Sequence, residues 1–374
     1  MREKRVTYHA SRNMSNTTIT QPTTQIWPKL GIRRLVLLGL IALLLSIFLL
    51  SLALGSVKIP LSEIVTILLG GEPTRATWTK IVLDVRLPRA VTAVLAGSAL
   101  AISGLQMQTL FRNPLAGPFV LGIDSGASLG VAIVVLMAGT TGVTLLAGIG
   151  IQGDLGIAVA ASLGSGLVLS LVVLVSRRVE TMTLLILGLM FSYIAGAVVS
   201  ILIYFSIPER VQSYLSWTFG SFGGVTWGQM RIMLPLVVVG LVVAWLMAKA
   251  LNAMLLGEGY ARTLGLNVNK ARFWIILSTA VLTGTITAFC GPIVFIGVAV
   301  PHLCRSLFAT SDHRILLPTT MMMGAIVALV VDLLAQMPGS QIVLPLNAVM
   351  ALVGAPVVVW VILRQRNLRS SFAG

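Results

Sequence analysis

Charge is scarce in this chain. Charged side chains make up 10% of the 374 residues, against about 25% in an ordinary soluble domain. Hydrophobic residues make up 57%, and mean hydropathy is +0.98. A soluble fold cannot hide that much apolar surface from water, whereas a bilayer can. Acids are the scarcest charge, with 11 Asp and Glu against 26 Lys and Arg. Asp332 alone among them falls well inside an apolar run, so the chain is poorly equipped for proton or sodium coupling through buried carboxylates. The net charge of +15 does not point to nucleic acid, because the basic residues sit in short clusters between apolar runs instead of forming one patch.

Cysteine and histidine are also few. Cys290 and Cys304 lack a CxxC spacing and lie in or beside apolar segments, which excludes a disulfide framework and argues against a zinc site. His9, His302 and His313 are scattered. The sequence has no GxxxxGK[ST] loop and no HExxH, so it offers neither a nucleotide-binding loop nor a zinc-hydrolase motif, and no cofactor is expected in this chain.

Long apolar runs are plentiful. Ten spans of about 20 residues are separated by charged or Pro/Gly-rich breaks, at 33–55, 90–109, 118–138, 155–176, 183–205, 231–250, 271–290, 293–308, 315–336 and 343–363. Gly291-Pro292 divides the seventh from the eighth, and a reversal there makes the count even. Residues 1–32 read as a disordered cytoplasmic tail, 33–366 as the transmembrane domain and 367–374 as a second tail. With both termini on one side, nineteen of the 26 basic residues share that side, from Arg2 and Lys4 through Arg177 and Arg178 to Arg366 and Arg369. The positive-inside rule makes it cytoplasmic.

The 36 glycines, in spacings such as Gly126-x-x-x-Gly130, predict helices packed closely in lipid. The halves share a plan: an amphipathic stretch, then four spans, with a broken turn after the first of the four. Asn113-Pro114 and Gly291-Pro292 are those turns, and paired interruptions suggest an inverted repeat. Residues 253–269 make an unusually long inner connection. Two short helices are expected there, Leu255 to Leu264 and a second piece from Asn267. Their apolar residues form either a docking knob or a loop that packs on its own bundle.

Several ordered motifs resemble the iron-siderophore and vitamin B12 ABC permease family. They are Arg86-Leu-Pro-Arg89, Gln108-x-x-x-Arg112-Asn-Pro-Leu-Ala116, Gly257-Glu258-x-x-Ala261-x-x-Leu264-Gly265, Gly291-Pro-Ile-x-Phe-Ile-Gly297, Val300-Pro-His302 and Ser311-Asp-His-Arg314. The resemblance covers roughly 33–366 and implies an all-α, ten-span type II ABC importer permease. It further implies a second permease chain, two ABC ATPase subunits carrying ATP-Mg, and a periplasmic substrate-binding protein. By the same resemblance, Arg86 and Arg89 match outer arginines that grip the binding protein's carboxylates, and Gln336 stands where some relatives carry a third. Asn113, Leu115 and Thr181 match an inner gate, and Leu256, Gly257, Glu258, Ala261, Leu264 and Gly265 match the ATPase-coupling region. The alternative roles from the residues themselves are capping for Arg86, Arg89 and Asn113, membrane-interface anchoring for Trp217 and Trp227, and a satisfied polar contact for Asp332. The implied cargo is a ferric siderophore, with haem and cobalamin as alternatives. A stand-alone secondary carrier and an integral-membrane enzyme on lipids are the readings of other classes, and both lack the clustered acids they would need.

Overall fold

The computed structural model describes residues 30–137, 154–176, 178–179, 181–340 and 342–370. The N-terminal tail before Leu30, the last four residues and His9 lie outside the described residues, and the readings made of them go no further.

Ten apolar helices are present among the described residues, each matching one expected span. They are α1 (Leu30–Ala53), α3 (Ala76–Leu110), α4 (Ile123–Met137), α5 (Asp154–Ser176), α6 (Thr181–Tyr204), α8 (Trp227–Leu246), α11 (Val268–Cys290), α12 (Ile296–Phe308), α13 (His313–Gln336) and α14 (Leu346–Ser370). Short helices join them: α2 (Leu61–Leu68), α7 (Pro208–Thr218), α9 (Ala248–Leu255) and α10 (Glu258–Thr263). Seven of the ten are long enough to cross a membrane unaided, while α4, α12 and the apolar part of α14 are shorter. Helix α14 continues to Ser370, past the expected tail boundary at 367.

The bundle has a centre and a rim. The apolar window of α3 is 83% buried and that of α11 72%, whereas those of α1 and α6 are each 17% buried. Leucines and isoleucines on the rim helices, such as Leu38, Leu45, Ile186 and Ile201, face outward, as helices in contact with lipid tails must. In lipid, burial from water no longer drives helix association, so close backbone packing has to do so. Helix α3 supplies it with two glycines. A Cβ at Gly97 would stand 2.1 Å from the carbonyl oxygen of Gly324 on α13. One at Gly104 would stand 1.7 Å from that of Gly297 on α12. Nothing larger than hydrogen fits either crossing. Farther along, Gln106 joins the same helix to α11, donating to Ser278 at 3.2 Å and accepting from Thr279 at 3.0 Å.

The break after α11 is a reversal. Helix α11 begins beside the α5–α6 turn, where Arg272 Nη1 donates to Val179 O at 2.9 Å, and ends beside α7, where Ser221 N–H donates to Cys290 O. Residues 291–295 then turn through left-handed backbone at Gly291 (φ 75°) and Phe295 (φ 68°). Helix α12 runs back toward Pro114, and it packs on α3, α13 and α14 instead of lying against α11. Asn347 at the start of α14 stitches this segment down: its amide donates to Thr218 O at 2.9 Å and Pro292 O at 2.6 Å. Both α4 and α12 thus begin within the bundle, after a non-helical stretch.

Replacing Gly104 by Val puts two methyl groups and a Cβ into the Gly297 carbonyl, where overpacking costs about 1–3 kcal/mol or more. Detergent-purified Gly104→Val is expected to melt well below the unsubstituted chain. Substitution of Gly166, which has open space around it, should leave the melting temperature nearly unchanged.

Candidate functional site

Two regions carry the polar residues singled out by sequence, one at each end of α3. The first surrounds Arg86 and Arg89. Neither guanidinium is displayed outward as the docking expectation requires. Arg86 is 7% exposed and turns into the bundle. Its Nη1 donates to the carbonyls of Leu52 at 2.7 Å and Ala53 at 3.0 Å, and its Nη2 to that of Val57. These carbonyls lie at and just past the end of α1, where the helix's own N–H groups run out; the arginine is a cap supplied from another helix, beside the Ile59 N–H that also reaches Ala53 O. Gly55 makes room, since a Cβ there would lie 2.8 Å from Nη2.

Arg89 is held by the intramembrane acid. Its Nε donates to Asp332 Oδ1 at 3.1 Å and Oδ2 at 3.0 Å, and its Nη2 to Oδ1 at 2.9 Å. Gln336 adds a fourth hydrogen bond, at 2.7 Å to Oδ2. The side chain of Asp332 is 2% exposed and that of Arg89 18%. Asp332 is therefore a paired, satisfied residue, and Gln336 completes its coordination. The nearby Trp227 donates to Leu83 O at 2.9 Å, while Trp217 packs on Tyr214 with ring centroids 6.2 Å apart.

The second region lies at the other end of α3. After Leu110 the backbone passes through a left-handed Arg112 (φ 47°) into Asn113-Pro114-Leu115. Asn113 Oδ1 accepts from Leu115 N–H at 2.9 Å, so its side chain shapes the turn, the local role set beside gating from the start. Leu115 is 49% exposed. His302 lies 2.7 Å from Pro114 O through Nε2. A carbonyl can only accept, so Nε2 carries the proton. Thr181 opens α6; its side chain lies outside the described residues.

Beside this turn sit α9 and α10. The second short piece expected from Asn267 does not form separately. Asn267 instead caps α11, its side chain accepting from Lys270 N–H at 3.0 Å, and the two short helices are α9 and α10. Gly257 (φ 106°) and Gly265 (φ 81°) bracket α10 in backbone that L side chains rarely adopt. Flanking α10, Leu256 at the end of α9 is 65% exposed and Leu264 59%, but Ala261 within it is fully buried. Glu258 also turns inward, bonding Arg272 Nη2 at 2.7 and 2.9 Å. Of the expected coupling residues, Leu256 and Leu264 face outward, Ala261 and Glu258 anchor the element, and the glycines shape it. Tyr260, half exposed, joins the outer face. Its position four residues from each leucine was the available signal. Between α10, the Arg112 turn and the α5–α6 turn lies a cleft of about 550 Å³, lined by Arg112, Arg178, Glu258, Arg262 and Arg272 among others.

The second histidine and both cysteines are buried. His313 is fully buried and bonded to Asn252 and Thr109, and Cys290 and Cys304 are buried free thiols. Burial pushes the Asp312 carboxyl up, but the Arg314 N–H, the Asn252 amide and the charge of Arg314 outweigh it and hold it below the ordinary carboxylate value.

A ten-helix bundle with helices broken inside it and an exposed apolar knob at one end defines a polytopic membrane permease built to work with a partner. The chain matches the FecCD transport family over residues 43–364, and it belongs to that family. It is 37% identical to the vitamin B12 import system permease protein of Klebsiella pneumoniae over 88% of this chain and 94% of the relative. It is 35% identical to the hemin transport system permease protein of Yersinia pestis over 90% and 97%. A solved structure, an inward-facing conformation of a metal-chelate type ABC transporter, superposes with a TM-score of 0.77 at 27% identity, covering 88% of this chain and 99% of the other. The chain is an ABC importer permease of the metal-chelate class, a multi-pass membrane subunit and not itself an enzyme.

Removing one partner of a buried pair leaves a charge without compensation, at about 3–5 kcal/mol. Asp332→Ala and Arg89→Ala should each lower thermal stability by that order. The double substitution should cost clearly less than the sum of the two singles. Additive losses would show that the pair is not coupled.

Proposed function

We propose that this chain carries a ferric siderophore across the inner membrane, delivered by an external binding protein and driven by ATP hydrolysis in two ABC ATPase subunits docked at α9 and α10. The observation that carries the reading is the combination of a family match across nearly the whole chain with an apolar face, Leu256, Tyr260 and Leu264, left exposed on a short helix between two spans. Such a face has no bilayer to enter and fits a groove on a partner. The translocation path would run between this chain and a second permease, an identical copy or a paralogue. Both termini would be cytoplasmic, which puts the Arg112, Arg178, Arg262 and Arg272 end inside, in keeping with the positive-inside rule.

At this end Asn113, Leu115 and Thr181 would form the gate, with Leu115 as the apolar constriction that excludes water when closed. At the opposite, outer end a binding protein would meet Arg89 before Arg86. Arg86 is occupied by backbone carbonyls, whereas Arg89 is partly exposed and bonded to a carboxylate that an incoming Glu or Asp could exchange for. A second reading of the cargo, haem or cobalamin, is favoured by the relatives at 35% and 37% identity, whose names specify hemin and vitamin B12.

The test is uptake into liposomes holding the permease with its ATPase, with binding protein outside and labelled ferric siderophore, haem and cobalamin offered in parallel. ATP-dependent uptake of the siderophore alone supports the reading, and uptake of haem or cobalamin instead reassigns the cargo. Leu256→Asp with Leu264→Asp should abolish capture of the ATPase and with it uptake. Accumulation that needs neither ATP nor the ATPase would overturn the importer and leave a secondary carrier.

A further inference from the structure

The knob formed by α9 and α10 and the turn at 113–115 lie on different elements, yet a chain of hydrogen bonds and one close side-chain approach join them, the first ending on the last turn of α3 and the second two residues past it. The first starts at Asn252 on α9. Its Nδ2 donates to Asp312 Oδ1 at 2.7 Å, and its Oδ1 accepts from the His313 backbone N–H at 2.8 Å. The same Oδ1 lies 2.8 Å from His313 Nδ1. An amide oxygen carries no proton, so Nδ1 must donate, and in the neutral ring Nε2 is then an acceptor. Nε2 lies 2.8 Å from Thr109 Oγ1 on α3, and the single proton of that hydroxyl is shared between this nitrogen and Leu105 O at 2.9 Å. The contacts run unbroken from Asn252 to α3.

The second link starts at Gly257, between α9 and α10. Arg112 reaches across to it, with Nη1 only 3.3 Å from where a Cβ at Gly257 would stand. Arg112 is the left-handed residue that ends α3, its N–H donating to Thr109 O at 3.2 Å. Thr109 and Arg112 are three residues apart and share one turn. The next three residues are Asn113, Pro114 and Leu115. On its other side the turn is held by α12, through His302 on Pro114 O and Arg305 Nη1 on Gln108 Oε1 at 2.5 Å.

We propose that Asn252, His313, Thr109 and Arg112 are positioning residues that transmit displacement of the ATPase-facing knob to the 113–115 gate. This rests on the proposed function above. A push on Leu256, Tyr260 and Leu264 reaches the end of α3 at two points, immediately before the residue that shapes the gate turn. The Glu258–Arg272 pair ties the knob to α11 and the α5–α6 turn, so the links through α3 are what distinguish motion at 113–115 from motion of the bundle as a whole. By reciprocity, the state of the turn also biases the state of the knob.

The experiment uses the assembled transporter in liposomes and reads ATP hydrolysis and cargo uptake on the same vesicles. Asn252→Leu with Arg112→Ala is expected to keep hydrolysis within about twofold while cargo moved per ATP falls by about fivefold or more, the range of an ordinary coupling energy. Thr109→Val, nearly isosteric and so tolerant of folding, should produce a smaller fall of the same kind, and Arg112→Lys should recover part of it. A second readout follows the turn directly: Leu115→Cys, labelled by a membrane-impermeant maleimide, should change its labelling rate when ATP is added. Cys290 and Cys304 are buried and leave that signal clean. The change should vanish in the Asn252→Leu, Arg112→Ala background. Unaltered cargo per ATP, together with an unaltered ATP-dependent change at position 115, overturns the linkage alone. Absence of ATP-driven uptake by the unsubstituted chain overturns the proposed function and the linkage with it.

Discussion

The structure depends on how closely α3 approaches two other helices. At Gly97 against Gly324 and at Gly104 against Gly297, backbone meets backbone with no side chain between. In a bilayer this is the arrangement that replaces the hydrophobic effect, because lipid tails solvate leucine as well as another leucine does. The rest of the bundle follows from it. Helix α13 is fixed along α3, antiparallel, with Arg89 facing Asp332 near one end and Thr109 facing His313 near the other. Helix α12 can begin inside the bundle because Gly104 accepts its first turn. The reversal after α11 is tolerable for the same reason: the irregular backbone of 291–295 is covered by protein, where Asn347 satisfies it, and not by lipid.

Polar side chains inside this bundle mostly satisfy helix ends and one another. Arg86 caps α1, Asn347 pins the reversal, Arg272 holds the carbonyls of Ser176 and Val179 while pairing with Glu258, and His302 holds Pro114. Each is a long-range tie from one helix to the broken backbone of another. The two ends of α3 differ in what these ties permit. Near Arg89 they close a compact ion pair with an amide on its flank. Near Arg112 they leave a cleft and an exposed apolar helix.

Much of this was legible in sequence. Ten spans were countable because a bilayer demands about 20 apolar residues per helix, and each expected span has its helix. Their ends were less legible. Helix α3 begins at Ala76, not 90, since Lys80, Asp84 and Arg86 are too polar for the apolar count yet continue the same helix through a π-turn at Ile81–Arg86. The Asn267 element was misjudged as a separate helix although the residue is a good N-cap. Partners were illegible where they are far apart in the chain. Asp332 reads as a satisfied acid from its composition alone, but Arg89 lies 243 positions away, and no local pattern connects them. The partners of Arg86 were illegible for the same reason, because the carbonyls it caps lie at the end of α1.

Those missed partners bear on how the outer end could receive a second protein. A pair of arginines near a helix start suggests two equal grips, but the two residues are in different situations here. Withdrawing Arg86 would strip the carbonyls of Leu52 and Val57 of its donors and leave Ala53 O with the Ile59 N–H alone, and an unpaired buried polar group costs about 1–3 kcal/mol each. Withdrawing Arg89 from Asp332 instead trades one carboxylate for another, provided that Gln336 keeps its bond to the acid left behind. A glutamine can stay with Asp332 as a neutral donor while Arg89 moves; an arginine at 336 would have competed for the same incoming carboxylate. With Gln336 in that place, the Arg89–Asp332 pair can exchange partners at little cost, whereas the contacts of Arg86 cannot.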